Sequence, residues 1–220
     1  IYIYIYIYIM PYCADKNLLF IHIPKTGGSS IEKYLKIKDI NNKNLYSGRT
    51  NNILPTDKLK KLPLQHLTYN TIYKYRDLLK VDFNDKLKIF TVVRNPYTRM
   101  ISDLSFNKLI KKGDTPKIVY NKIKQFIKGT PEEYNNHNIP QYNFVVDDNN
   151  NLIKKITILK FENFKKELIN YGFKDFNTHI QKNRIKEKPE NYMSYLNKDS
   201  ITLINEYYKK DFELFGYKML

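Results

Sequence analysis

Pro24, Lys25, Thr26, Gly27, Gly28, Ser29 and Ser30 place one cation, three hydroxyls and two glycines in a single short stretch. Lysine and hydroxyl groups donate hydrogen bonds to an anion, and glycines let the backbone come close to it. A new helix that starts here would add its unpaired N–H groups. The chemistry that suits such a stretch is the cradling of a phosphate or sulfate group. A second candidate is Arg94, followed by Asn95, Pro96, Arg99 and Ser102. Its planar guanidinium can grip a phosphate through two hydrogen bonds at once.

The elements that must position these groups follow from apolar runs and breakers. Leu18 to Ile23 is a short apolar run ended by Pro24, which reads as a buried strand, and Ile31, Tyr34 and Leu35 continue at helical spacing. Ile89 to Val93 repeats the pattern, with Asn95 as cap and Pro96 in the first turn of the next helix. Arg94 thus falls at a strand's C-terminal end beside a helix start. A third strand is expected over Ile153 to Phe161, leading through Glu162 and Asn163 into a helix with Leu168 and Tyr171. Between these, Asn41 to Asn52 reads as loop with a short strand, and Pro55 to Leu62 as a short helix opening near Thr56 or Asp57. Thr68 should cap a helix through Ile72, Tyr75 and Leu79, with His66 in an extended or turn segment just before it. Thr115 to Lys128 is an amphipathic helix ended by Gly129 and Pro131. Asn135, Asn136 and His137 lie in a polar loop, Gln141 to Val146 is extended, and Asp147 to Asn151 is a turn. Ile201 to Tyr217 closes the chain as one helix, with Ile204, Tyr207, Tyr208 and Phe212 on its core side.

The order Pro-Lys-Thr-Gly-Gly-Ser-Ser after a strand resembles the 5′-phosphosulfate loop of sulfotransferases that use 3′-phosphoadenosine-5′-phosphosulfate (PAPS). Arg-Asn-Pro-Tyr-x-Arg-x-x-Ser, from Arg94 to Ser102, resembles the 3′-phosphate element of the same enzymes. The Phe-Glu-Asn at 161–163 and the closing Phe215-Gly216-Tyr217 also agree, so the likeness runs from about Leu18 to the C-terminus. It implies a single α/β domain with a central, mainly parallel sheet flanked by helices, in a P-loop-like sulfotransferase fold. It implies transfer of a sulfuryl group from PAPS to a hydroxyl, with a carbohydrate as the expected acceptor, an anionic glycan being the kind that a basic chain suits. Lys25 with Thr26, Gly27, Gly28, Ser29 and Ser30 would hold the 5′-phosphate, Lys25 also neutralising the leaving group. Arg94 and Ser102 would hold the 3′-phosphate, and His66 would be the general base, with His22 and Glu162 as alternates. Glu162 is otherwise expected to cap or orient the helix that follows it.

Other classes are weighed by the same residues. A nucleotide kinase or NTPase needs G-x-x-x-x-G-K-[ST], and here the lysine precedes the glycines. The net charge of +16 would suit a non-catalytic binder of nucleic acid or acidic glycan. Lysine dominates that charge in a chain also rich in Asn, Ile and Tyr, all residues of AT-rich codons, so the charge alone decides little. The histidines and the single cysteine, Cys13, show no metal-ligand spacing, so no metal is expected. One cysteine also excludes an intrachain disulfide. With no membrane-length apolar run and no secretory signal, a cytoplasmic location is expected ahead of the Golgi lumen. The IYIYIYIYI repeat at 1–9 is expected to stand outside the fold, with Met10 as the start of a domain over 10–220.

Overall fold

The computed structural model describes residues 11–35, 54–177 and 191–220. The Ile-Tyr repeat, Met10, the segment at 41–52 and the basic stretch from Thr178 to Pro189 lie outside the described residues. Four strands form one sheet in the order β1-β2-β3-β4. They are β1 (Tyr12–Cys13), β2 (Leu18–Ile21), β3 (Lys88–Val93) and β4 (Ile156–Lys160). β1 is an antiparallel edge that sequence patterning did not reveal, while β2, β3 and β4 are mutually parallel. The register sets Ile21 opposite Thr91 and Val93 opposite Lys160, so the C-terminal ends of the three long strands lie along one edge. The expected mainly parallel α/β sheet is what forms.

Alternation along the strands feeds two layers. Leu19 and Ile21 pack with Ile89, Val93 and Ile156 on one face, while Leu18 and Phe20 pack with Phe90, Val92 and Leu159 on the other. Helix α1 (Gly28–Tyr34) covers the second face through Ile31. The first face is covered by α2 (Asp57–Lys60), α3 (Tyr69–Lys74) and α4 (Arg76–Leu79), through Leu59, Ile72 and Leu79. A separate helical layer joins α5 (Pro96–Phe106), α6 (Pro116–Lys128) and, later in the chain, the pair α8 (Lys198–Tyr207) and α9 (Lys209–Phe215). The remaining helix, α7 (Phe164–Tyr171), packs Leu168 beside Ile31 and Phe90.

The caps stand where residue chemistry puts them. Thr56, Thr68, Asn95 and Thr115 accept from N–H groups of the first turns of α2, α3, α5 and α6. Three expectations of secondary structure need correcting, the first being the helix expected from Thr68 through Leu79, which is broken at Tyr75 (φ −109°, ψ 24°) into α3 and α4. Gln141 to Val146 is a tight 3-10 turn over Gln141–Phe144 rather than extended chain. The closing helix is broken at Tyr208, whose backbone (φ −103°, ψ 21°) separates α8 from α9. Among the described residues no helix is long and apolar enough to cross a membrane.

Candidate active site

Beyond β2, the chain stays buried through His22 and Ile23 to Pro24. Lys25 then takes φ +64° and Gly27 φ +91°, so two left-handed residues make the turn into α1. That backbone is uncommon for lysine. Arg94 donates from Nη1 to the Lys25 carbonyl at 3.1 Å and ties it down. The two glycines answer different neighbours. A β-carbon on Gly27 would lie 2.6 Å from the Phe164 ring, and one on Gly28 would lie 2.1 Å from the His22 imidazole. Glycine was expected here to admit a ligand; at Gly28 the close approach is to a histidine of the same chain.

The loop's side chains divide by task. Thr26 is fully buried and its hydroxyl donates to the Ile23 carbonyl at 2.8 Å, so this side chain shapes the turn. The Ser30 N–H closes onto the Gly27 carbonyl at 3.0 Å. Ser29 is half-buried, as is Lys25, whose Nζ stands 4.0 Å from the centroid of the Phe106 ring.

Arg94 leaves β3 directly beside this loop. Its Nε donates to Thr98 Oγ1 at 3.0 Å, and its guanidinium lies over Phe161 at 4.5 Å and Tyr192 at 5.1 Å. Thr98 and Ser102 are one turn apart on α5, so Arg94, Thr98 and buried Ser102 follow one side of the helix start. Gln141 clasps the Arg94 backbone: Oε1 accepts its N–H at 2.9 Å, and Nε2 donates to its carbonyl at 2.8 Å. Fully buried Asp211 in turn accepts from the N–H groups of Gln141 and Tyr142. Burial pushes the Asp211 carboxyl up to about 6, against the opposing pull of those bonds and of Arg99. Arg99 does other work. Buried, it donates to the carbonyls of Pro24, Ile139 and His137 at 3.2, 3.1 and 2.8 Å, stitching the loop after β2 to the 137–139 segment.

His66, expected in an extended or turn segment, lies in a single 3-10 turn over Leu64–His66. It sits in a row of three imidazoles that the sequence keeps far apart. His22 meets His66 edge to face at 4.9 Å between centroids, and His66 meets His137 at 5.0 Å. The outer two are held by buried carboxylates: His22 Nδ1 is 2.6 Å from Glu32 Oε1, and His137 Nδ1 is 2.6 Å from Asp103 Oδ1. The ring of Phe106 stacks on His137 at 5.1 Å, which joins the row to the seat of Lys25. Burial pushes the His137 imidazole down; Asp103 opposes this, and Lys25 and Arg99 reinforce it. His22 is stacked on Phe20 under Gly28, inside the fold rather than at the loop's outer side.

Glu162 departs from expectation. Instead of capping its own helix, it accepts the Asn95 N–H at 2.7 Å through Oε1 and the Tyr217 hydroxyl at 2.8 Å through Oε2. It braces the foot of α5 and the C-terminal segment. Among the described residues, no group of three or more His, Cys, Asp or Glu is arranged to hold a metal.

Sequence reasoning therefore named Lys25, Arg94, Ser102 and His66, and the structure brings Lys25 and Arg94 into contact. It missed His137, Asp103, Gln141 and Phe106. Only Asp103 and Phe106 carried any signal, through their place on the helix after Arg94; the others depend on tertiary contacts. Comparison with known proteins agrees with this geometry. No curated protein and no solved structure matches the chain. The family model described as "Sulfotransferase family" matches residues 10–218. With nearly the whole chain matched, and with the paired loop and arginine elements in contact on a parallel sheet, the protein belongs to the sulfotransferase family.

Proposed function

We propose that the protein transfers a sulfuryl group from PAPS to a hydroxyl of a carbohydrate. The observation that carries this reading is the 3.1 Å bond from Arg94 to the Lys25 carbonyl. It joins two anion-binding elements at the C-terminal ends of adjacent parallel strands, where ligands of open α/β sheets bind. The donor set fits a nucleotide with phosphate at both ends. Lys25, the first-turn N–H groups and the Ser29 and Ser30 hydroxyls serve the 5′ side, with Thr26, Gly27 and Gly28 contributing backbone. Arg94 and Ser102 serve the 3′-phosphate.

Bound there, the donor supplies a sulfuryl group activated on its 5′-phosphate. Lys25 then sets a positive charge beside the phosphate oxygen that gains the electron pair when the sulfur–oxygen bond breaks. His66 takes the proton from the acceptor hydroxyl as the new oxygen–sulfur bond forms. His22 is less suited because it is packed beneath Gly28, and Glu162 because both its oxygens already brace other elements.

Incubation with PAPS and a panel of desulfated glycans, read by release of 3′-phosphoadenosine-5′-phosphate (PAP), tests the reading. Glycan-dependent release should fall by about 100-fold or more in Lys25→Ala and in His66→Ala. Glu162→Gln should stay close to wild type. Full activity in both Lys25→Ala and His66→Ala would remove the assignment.

A further inference from the structure

The three residues Asn135, Asn136 and His137 close on His66 from separate directions. The Asn135 carbonyl lies 3.1 Å from His66 Nδ1, Asn136 Nδ2 donates to the His66 carbonyl at 2.8 Å, and the two imidazoles meet edge to face. Both asparagines take left-handed backbone, at φ +51° and +64°. Asparagine tolerates that region better than most residues, so the turn can present both a carbonyl and an amide to one neighbour.

The turn is itself anchored. Asn136 N–H donates to the Pro131 carbonyl at 2.8 Å, and His137 N–H to the Tyr134 carbonyl at 2.9 Å. Asp103 holds the His137 ring, Arg99 holds its carbonyl, and Asn138 Nδ2 donates to the Gly129 carbonyl at 2.6 Å. Asn136, His137 and Asn138 are all buried. These bonds fix the segment that faces the His66 imidazole, and a satisfied buried polar network of this kind rigidifies what it holds.

We propose that Asn135–Asn136–His137, anchored by Asp103, is a positioning clamp that sets the tautomer and orientation of His66. A carbonyl oxygen only accepts, so the bond to Asn135 requires the proton of neutral His66 to sit on Nδ1. The lone pair is then on Nε2, the atom that would receive the acceptor's proton. Asn136, His137 and Asp103 act through His66 and are not themselves catalytic residues. The inference rests on the reading of His66 as general base and names the groups that make it one.

Long-range proton–nitrogen correlation spectra of the 15N-histidine-labelled protein, at a pH where His66 is neutral, read the tautomer directly. The clamp predicts an Nδ1–H preference for His66 of about tenfold (~1.4 kcal/mol). Asn136→Gly keeps the left-handed backbone but removes the amide, and His137→Gln removes the ring while keeping a donor toward Asp103. Each should lower that preference by about threefold or more while PAP affinity, measured by calorimetry, stays at the wild-type value. His66 protonated on Nε2 in the wild type would overturn the clamp, and this measurement does not depend on either variant folding. An unchanged preference in folded variants would overturn it too. Loss of PAP selectivity over ADP in the wild type would instead overturn the donor-site reading and leave the tautomer result standing.

Discussion

A β-carbon at Gly28 would lie 2.1 Å from His22 Cδ2, closer than any side chain can be accommodated without movement. His22 has little room to move, because its Nδ1 is bound to Glu32 and its ring is stacked on Phe20. The glycine that opens α1 is therefore demanded from beneath, by a buried histidine–carboxylate pair.

Gly28→Ala should destabilise the protein by about 1–3 kcal/mol in urea unfolding, through overpacking. In the double variant with His22→Ala the two costs should fall short of their sum, because the second change makes the room the first one needs. Strict additivity would show that the clash is relieved elsewhere.

Phe106 is about half exposed, at 47%, yet it touches both Lys25 and His137. Its contact with the ammonium is worth about 0.5–1 kcal/mol, enough to bias the lysine and weak enough to yield to a bound anion. Phe106→Leu should leave unfolding free energy within about 1 kcal/mol of wild type. The Lys25 side-chain resonances should lose their upfield ring-current displacement in this variant, and in the wild type on saturation with PAPS. Identical Lys25 resonances in the two proteins would show that the contact is absent in solution.

Stability should depend on pH through Asp211 and His137 with opposite signs. Burial raises Asp211 to about 6, so between its ordinary value of 3.8 and 6 the native state binds the proton more tightly than the unfolded state. The resulting contribution is complete below 3.8 and is lost as pH rises through 6, on the order of 2–3 kcal/mol. His137 is lowered from 6.5, so its contribution is complete above 6.5 and is lost as pH falls through the lowered native value. Urea unfolding of Asp211→Asn and wild type from pH 4 to 7 checks the first sign. The wild type should lose ground to the variant as pH rises, whereas parallel curves would contradict it.

Much of the fold was legible because local chemistry and tertiary need agree. Apolar runs ended by Pro24 and by Asn95-Pro96 marked β2 and β3, and the caps Thr68, Asn95 and Thr115 act as their side chains dictate. Gln141–Phe144 was misread because Tyr142, Phe144, Val145 and Val146 favour strands, while two N–H bonds to Asp211 fold the segment into a turn. The break at Tyr208 left no trace because apolar spacing continues across it. In the site, Lys25 and Arg94 declared themselves by their place after strands. His137 did not, since its bond to Asp103 and its contact with His66 join segments that only the fold brings together.

The donor site is the central claim, and calorimetric titration with PAP against ADP tests it most directly. The two nucleotides carry their second phosphate in different places, on the 3′ oxygen in PAP, where Arg94 and Ser102 are assigned to hold it, and on the 5′-phosphate in ADP. The account predicts that PAP binds more tightly than ADP, and that Arg94→Ala removes most of that difference, an effect of about 2–3 kcal/mol or roughly 30–150-fold. Equal affinity for PAP and ADP in the wild type would contradict it.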